Sequence, residues 1–235
     1  MSNDYFQFRQ FRVRQQRCAM KVGTDGTLLG AWAQMPMVRG RILDIGTGTG
    51  LIALMMAQRF PDASVVGIDI DSEAVAQAQE NVEESPFAQR ITIRQADVLQ
   101  FDDEGKFDAI VCNPPYFVNA LTCPDQQRTT ARHTVSLSYE GLMQRVARLL
   151  TTEGLFSVVI PVDSRSALET AAYLNGLFLS RVCMVKTTPR KAPKRCMIEF
   201  VKHIKNEIDI EDGIIEEAPC VRSDWYQRLT AEFYL

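Results

Sequence analysis

The chain has 235 residues, of which 46% are hydrophobic and 23% charged. This composition is typical of a soluble globular protein with one sizeable core. Lys and Arg number 26 against 29 Asp and Glu, so the formal net charge of −3 excludes a chain that is basic throughout. Positive charge is instead concentrated in residues 1–22 and 181–205, and negative charge in 207–235. Such an asymmetry permits a polyanionic partner.

Targeting and metal-binding signals are absent from the sequence. No apolar run approaches the roughly 20 residues that span a bilayer, and the arginine-rich start resembles no signal peptide, so we expect a cytoplasmic protein with no membrane partner. The six cysteines form no C-x-x-C pair, which predicts reduced thiols and no metal site. A catalytic pair of Cys112 or Cys123 with His133 remains open, although no motif supports it.

The predicted elements alternate between strands and helices. In chain order they are a strand at 41–45, a helix at 51–58, a strand at 65–70, a helix at 73–84 capped by Ser72, strands beginning at 91 and 107, a helix at 139–150, a strand at 155–160, a helix at 164–174, and strands at 179–187 and 195–202. This alternation predicts a mostly parallel sheet with helices on both faces.

The last two predicted strands break the alternation. Only residues 188–194 join them, which is too short for a crossover helix, so we expect an antiparallel hairpin at a sheet edge. The chain is then one domain, 1–235, with a basic N-terminal extension (1–40), a core (41–202) and an acidic C-terminal tail (203–235).

A glycine-rich turn, residues 46–50 (G-T-G-T-G), joins the first core strand to a helix. Ligands of parallel sheets bind beyond the carboxyl ends of the strands, where a glycine turn lets the backbone approach a nucleotide. Leu51 stands where the dinucleotide fingerprint has its third glycine, which disfavours NAD. With Asp44 the pattern is D-x-G-x-G-x-G, which resembles motif I of class I S-adenosylmethionine (SAM) methyltransferases. That resemblance implies that Gly46, Gly48 and Gly50 admit the methionine part of the cofactor and that Asp44 orders the turn.

Acidic residues follow the next two predicted strands. Asp69 and Asp71 come about 20 residues after the turn, where a carboxylate can accept hydrogen bonds from both ribose hydroxyls. We assign this role to Asp69, because Asp71 is better placed to cap the following helix. By the same resemblance Asp97 accepts from the adenine amino group of the cofactor; an exposed loop acid is the alternative.

The most specific motif is Asn113-Pro114-Pro115-Tyr116, which follows the strand at 107–112. It resembles the N-P-P-Y motif of SAM-dependent methyltransferases that act on planar amide or exocyclic amino nitrogens. Such a nitrogen is a poor nucleophile because its lone pair is delocalised. The Asn113 side-chain oxygen and the Pro114 carbonyl can accept its hydrogens and draw the lone pair out of conjugation. Tyr116 can stack on the target ring.

The resemblance to methyltransferases extends over most of the chain. It includes the segment Lys21-Val22-Gly23-Thr24-Asp25-Gly26 and the basic C-terminal hairpin. Together with the two motifs, these segments resemble the family of tRNA N6-adenine methyltransferases that modify adenosine 37 of valine tRNA. The resemblance implies a Rossmann-like α/β fold with a seven-stranded sheet, and it implies that Lys21, Thr24 and Asp25 lie over the cofactor pocket. Otherwise these three residues are a polar turn.

Positive charge favours RNA as the substrate. Two basic patches could bind phosphates, and a solvated loop is the alternative for each. The first patch consists of Arg9, Arg12, Arg14 and Arg17, interleaved with Phe6, Phe8 and Phe11, and the second of Arg181, Lys186, Arg190, Lys191, Lys194 and Arg195. A loop with Arg128, Arg132 and His133 could close over a flipped base.

The sequence therefore predicts SAM-dependent N6-methylation of an adenine in tRNA. Related N-P-P-[YF] families methylate guanine N2 in ribosomal RNA, adenine in DNA or a glutamine amide in release factors, and the motif alone does not separate them. A SAM-binding RNA module without turnover is a further alternative.

Overall fold

A computed structural model describes residues 4–18, 21–114 and 137–234. The strands are β1 (Tyr5–Gln7), β2 (Arg12–Arg14), β3 (Arg41–Ile45), β4 (Ser64–Asp69), β5 (Ile91–Gln95), β6 (Phe107–Cys112), β7 (Leu150–Pro161), β8 (Phe178–Lys186), β9 (Arg195–Val201), β10 (Asp209–Ile214), β11 (Glu216–Ala218) and β12 (Val221–Arg222). The α-helices are α1 (Thr24–Trp32), α2 (Leu51–Arg59), α3 (Ser72–Glu83), α4 (Tyr139–Leu149), α5 (Arg165–Leu174) and α6 (Asp224–Thr230). None of these helices is long and apolar enough to cross a membrane.

Eight of the strands form one twisted sheet in the order β10-β8-β9-β7-β6-β3-β4-β5. Strands β3 to β7 are parallel, whereas β9 runs antiparallel to both of its neighbours. In the register of β3, Ile45 lies beside Ile68 of β4 and Cys112 of β6. The segments that follow these three strands consequently meet at one edge of the sheet.

The two faces of the sheet carry separate apolar clusters. One cluster holds Ile42 and residues of α1, α2, α3 and α6, and the other holds Leu43 and residues of α4 and α5. Side chains of a strand point alternately to the two faces, so a strand buried on both sides reads as a continuous apolar run. This explains why β3 and β6 have the bounds that the sequence predicted.

The sequence offered both Ser72 and Asp71 as the cap of α3. Ser72 is not the cap, because Asp71 holds that position and its side chain accepts a hydrogen bond from the Glu73 backbone N–H at 2.9 Å. Ser72 is the first residue of the helix. Aspartate and serine cap equally well, so the sequence alone could not choose between adjacent residues.

The C-terminal region corrects two further predictions. The β8–β9 hairpin is antiparallel as expected, but it is not at the sheet edge, because β10 pairs along the other side of β8. The sheet therefore has eight strands in the described residues instead of the seven predicted. β10 comes from the segment interpreted as an acidic tail, and it is held by close packing: a Cβ atom on Gly213 would lie 2.5 Å from the Trp225 ring.

The N-terminal segment also belongs to the core. β1 and β2 form a short hairpin, and Phe8 and Phe11 beside them are buried in the same cluster as α1 and α2. Asn81 of α3 fixes this hairpin, because its side chain accepts from the Arg14 backbone N–H at 2.8 Å and donates to the Arg14 carbonyl at 2.9 Å.

Candidate functional site

The glycine turn is a tight loop fastened to the end of β4. Gly46, Gly48 and Gly50 have φ angles of +69°, +55° and +79°, a region that glycine adopts without the strain that a side chain would cause. The Gly46 and Thr47 backbone N–H groups donate to the Ile68 carbonyl, both at 2.9 Å. A Cβ atom on Gly46 would meet nothing within 4 Å, so the turn faces an open cleft.

Asp44 lies beneath this turn and is fully buried. Its Oδ2 accepts hydrogen bonds from the Thr47 hydroxyl at 2.7 Å and from the Ala53 backbone N–H at 3.1 Å. Its Oδ1 has no hydrogen-bond partner among the described residues. Burial raises the pKa of Asp44 to about 7. The carboxyl group thus holds the turn to the start of α2.

Two residues that support the turn were not predicted. A Cβ atom on Gly67 of β4 would lie 2.9 Å from the Thr47 hydroxyl and 2.7 Å from an Ile93 methyl carbon, so only glycine leaves room for the turn. A lone glycine inside an apolar strand could have indicated this close approach. Asn81 donates to the Thr49 carbonyl at 2.8 Å, and no sequence signal marks it, because asparagine in a polar helix resembles a surface residue.

The cleft itself has a volume of about 340 Å³ and is built from segments far apart in sequence. It is lined by Lys21 and the start of α1, by the glycine turn, by Asn113 and by Arg195. α1 passes close over the cleft, because a Cβ atom on Gly26 would lie 3.2 Å from a Leu51 methyl carbon and 3.8 Å from Asn113 Nδ2. The predicted residues Lys21, Thr24 and Asp25 therefore lie with Asn113 around one cavity.

An ion pair joins the two sides of this cleft. Arg195 Nε lies 2.7 Å from Asp25 Oδ2, which links the first residue of β9 to the first turn of α1. The sequence placed Arg195 in a basic patch for RNA; in the structure it lies within the cleft and contacts Asp25.

The other predicted acids lie at the same sheet edge. Asp69 Oδ2 accepts from the Gly48 backbone N–H at 2.9 Å, and its Oδ1 accepts from the Asp71 N–H at 3.0 Å. Asp97 is half-buried and accepts from the Leu99 backbone N–H at 2.9 Å. Asp69 thus contacts the turn directly, whereas Asp97 closes the turn that follows β5.

Asn113 and Pro114 follow β6 at this edge. The rest of the motif, Pro115 and Tyr116, lies outside the described residues, as do Cys123, Arg128, Arg132 and His133. Cys112 is buried, and burial raises the pKa of its thiol well above the ordinary value. A nucleophilic cysteine needs the opposite shift, because the thiolate is the reactive form.

The two basic patches have different surroundings. In the C-terminal patch, Arg190, Lys191 and Lys194 are exposed on the β8–β9 loop. This loop lies at the carboxyl edge of the sheet, because Arg195 pairs with Pro161 at the end of β7. Lys186 contributes less to this surface, since it forms an ion pair with Asp212 at 3.1 Å.

In the N-terminal patch Phe8 and Phe11 are not available to stack on bases, because Phe8 is 0% and Phe11 3% exposed, whereas Phe6 is half-buried. Arg14 forms an ion pair with Glu84 at 2.9 Å. Arg12 donates to Gln7 at 3.0 Å and lies over the Tyr5 ring, 4.5 Å from its centroid.

Comparison with known proteins identifies the family. Residues 23–178 match the family described as methyltransferase small domain. The chain belongs to this methyltransferase family. The methyltransferase is 51% identical to a protein of Bacteroides thetaiotaomicron named tRNA1(Val) (adenine(37)-N6)-methyltransferase, over 100% of this chain and 99% of the relative. A protein of Vibrio campbellii with the same name is 40% identical over 98% of this chain and 95% of the relative. The family resemblance inferred from the motifs is confirmed.

Solved structures show the same fold at low sequence identity. A protein of Agrobacterium tumefaciens described as a predicted O-methyltransferase aligns with a TM-score of 0.70 and 18% identity, covering 89% of the methyltransferase and 96% of that chain. A ribosomal protein L11 methylase from Lactobacillus delbrueckii aligns with a TM-score of 0.54 and 21% identity, covering 76% and 77%. The fold class predicted from the alternating elements is confirmed.

Proposed function

We propose that this methyltransferase transfers a methyl group from SAM to N6 of an adenine in tRNA, namely adenosine 37 of tRNA1(Val). The observation that carries the proposal is the position of Asn113 and Pro114: they follow β6 at the sheet edge that also holds the glycine turn, and Asn113 lines the cleft beside that turn. The names and full-length similarity of the curated relatives support the choice of substrate.

The residues around the cleft fit SAM. The open side of Gly46 leaves room for a ligand against the backbone. The Asp69 carboxylate at the end of β4 is suited to a ribose diol, and the Asp25–Arg195 pair and Lys21 are suited to an amino-acid group with both charges. When bound, SAM would supply the electrophilic methyl group, with S-adenosylhomocysteine as the leaving group and one proton lost from the amine nitrogen.

The chain's own residues prepare the nucleophile. The Asn113 side-chain oxygen and the Pro114 carbonyl accept hydrogen bonds from the two hydrogens of the adenine amine. These contacts turn the lone pair out of conjugation with the ring and hold the nitrogen in line for attack. Pro114 and Pro115 have no backbone N–H that could compete for the same acceptors.

The surface beside the cleft suits an anticodon loop. Arg190, Lys191 and Lys194 are exposed at the same sheet edge and supply charge for phosphates. An adenosine in a loop is unpaired, so turning it out of the stack costs less than extruding a base from a duplex. We expect the enzyme to act in the cytoplasm, where tRNA is modified.

The substitution Asn113→Ala tests the mechanism. We expect methyl transfer to fall by about 100-fold or more, because the amine loses an acceptor that positions it. The dissociation constant for SAM should stay within about twofold, measured by calorimetry. Asn113→Asp keeps an accepting oxygen and should retain more activity than Asn113→Ala. Unchanged turnover in Asn113→Ala would contradict the mechanism.

The substrate assignment is tested separately with methyl-labelled SAM and total RNA, DNA and protein fractions. The expected product is N6-methyladenosine in the tRNA fraction, identified by nucleoside mass spectrometry. Label in protein, or N2-methylguanosine in RNA, would leave the role of Asn113 intact and reject tRNA adenine as the substrate.

A further inference from the structure

A second cavity, of about 700 Å³, lies between the N-terminal hairpin and α6. We call it the α6 groove; its defining residues are Phe6, Arg9, Thr24, Arg222, Tyr226 and Tyr234. Gly23 and Thr24 line both this groove and the cofactor cleft. Only the short segment that leads into α1 therefore separates the two cavities, and a ligand larger than one nucleotide could reach both.

The charge of the groove is positive. Neither Asp nor Glu is among the described residues that line it, whereas Arg9 and Arg222 are. This distribution is unexpected, because the chain has a net charge of −3 and residues 207–235 are its most acidic segment. The two guanidinium groups suit a ligand with negative charge.

Arg9 is held in place by its backbone and leaves its side chain available. Its N–H donates to the Phe233 carbonyl at 2.9 Å. The side chain is exposed, and it makes no hydrogen bond or ion pair with any residue that the structure describes. Of the predicted N-terminal arginines, Arg12 and Arg14 are engaged by neighbours, so Arg9 is better placed to meet a ligand.

Arg222 is the second arginine that lines the groove. Its guanidinium carbon is 4.8 Å from the centroid of the Tyr226 ring, and its Nη1 lies 3.1 Å from Glu216 Oε1, with the arginine side chain 51% exposed. An ion pair this exposed is weak. A phosphate can therefore replace or share it at small cost.

Aromatic rings line the same groove as the two arginines. Tyr234 contacts the Phe6 ring at 5.9 Å and the Tyr226 ring at 6.1 Å between centroids. The Tyr226 and Tyr234 hydroxyls are 3.1 Å apart. Phe6 and Tyr234 are half-buried, so their rings are fixed and still present a surface. An aromatic surface flanked by arginines is a platform on which nucleobases stack.

We propose that the α6 groove binds a nucleotide adjacent to the methylated adenosine in the substrate RNA. Its base packs on Phe6 and Tyr234, and its phosphates contact Arg9 and Arg222. This inference rests on the proposed function, because it assigns a second subsite to the same RNA. It would make the groove a determinant of which sequence beside the target is accepted.

The first test measures tRNA binding by the double variant Arg9→Ala/Arg222→Ala. We expect the dissociation constant for tRNA to rise about tenfold or more and the slope of log K against log salt to fall in magnitude by about 1.5, because two phosphate contacts are lost. The dissociation constant for SAM should be unchanged. The matched control is Arg39→Ala/Arg148→Ala, which removes two exposed arginines that neither line the groove nor lie on α6.

The single variant Arg9→Glu guards against a folding artefact, since the Arg9 side chain contacts no described residue through a hydrogen bond or ion pair. It should weaken tRNA binding without changing the thermal midpoint. If both groove variants bind tRNA as the control does, the proposal is wrong.

The second test locates the RNA. A valine tRNA anticodon stem-loop carrying 4-thiouridine on either side of the target is irradiated with the wild-type enzyme, and the crosslinked peptides are sequenced. We expect at least one position to crosslink within residues 5–9 or 222–234; crosslinks confined to other segments would overturn the proposal. If the wild type methylates this RNA and the groove tests fail, only the groove is rejected. If it methylates no tRNA, the proposed function itself fails.

Discussion

The two basic segments of this chain are both rich in Lys and Arg but serve different parts of the molecule. In the N-terminal hairpin, Arg12 and Arg14 contact Gln7, Tyr5 and Glu84. On the β8–β9 loop, Arg190, Lys191 and Lys194 are exposed at the edge of the sheet that holds the cleft. The first segment is mostly committed to folding, and the second is available to a substrate.

The uncharged residues that lie among the arginines and lysines explain why one segment packs on the protein and the other is exposed. Phe8 and Phe11 anchor the hairpin in the core and bring its arginines against α3. The loop at 187–194 contains two prolines and no large apolar residue, so nothing draws its cations onto the protein. The arginines interleaved with phenylalanines were interpreted as a phosphate-binding patch, and the burial of two of the rings shows that Phe8 and Phe11 stabilise the fold.

The largest effect that tests this comparison is expected from Phe8→Ala. Removing a buried phenylalanine should lower the free energy of unfolding by about 3–5 kcal/mol, because a cavity remains in the core. Urea unfolding measures the change, and Tyr5→Ala, at a ring that is 48% exposed, is the control with a small expected effect. A variant of normal stability that binds tRNA poorly would instead make Phe8 part of the RNA surface.

The central part of the fold could be predicted because its signals are local. β3 is an apolar run that ends at the glycine turn, and β6 is an apolar run that ends at Asn113-Pro114-Pro115. The predicted bounds of both strands agree with the structure. α1 was missed, since Gly23 at its N-cap makes no side-chain hydrogen bond and its buried residues form no periodic stripe. β10 was missed because an edge strand is half exposed and here carries acids that resemble a solvated tail.

The site was predictable to the extent that it depends on parallel strands. The carboxyl ends of β3, β4 and β6 meet at one edge, which brings the glycine turn, Asp69 and Asn113 together. The Asp25–Arg195 pair was not predictable, because it joins a missed helix to a strand 170 residues away in the chain. Its geometry depends on the antiparallel direction of β9, which starts at the edge where the parallel strands end.

A medium effect is expected from the triple variant Arg190→Ala/Lys191→Ala/Lys194→Ala. We expect the KM for tRNA to rise about 10- to 50-fold at moderate salt and the salt slope to fall in magnitude by about 2, because up to three phosphate contacts are lost. The urea midpoint should not change, since these side chains are exposed. The control Arg39→Ala/Arg148→Ala/Arg228→Ala removes the same charge from exposed positions outside the β8–β9 loop. An equal loss of affinity in both variants would mean that only net charge matters.

The smallest effect is expected from Arg14→Ala. Arg14 donates to both oxygens of Glu84, at 2.9 and 3.1 Å, with both side chains about two-fifths exposed, and ion pairs of this kind add little stability and are screened by salt. The urea midpoint should fall slightly at low salt and not at high salt, and tRNA affinity should change by less than about twofold, because no phosphate contact is removed. Glu84→Ala should lower the urea midpoint by the same small amount, and the double variant Arg14→Ala/Glu84→Ala should have the same midpoint as either single variant. A loss of tRNA affinity in Arg14→Ala but not in Glu84→Ala would place Arg14 on the RNA surface and remove the distinction between the two basic segments.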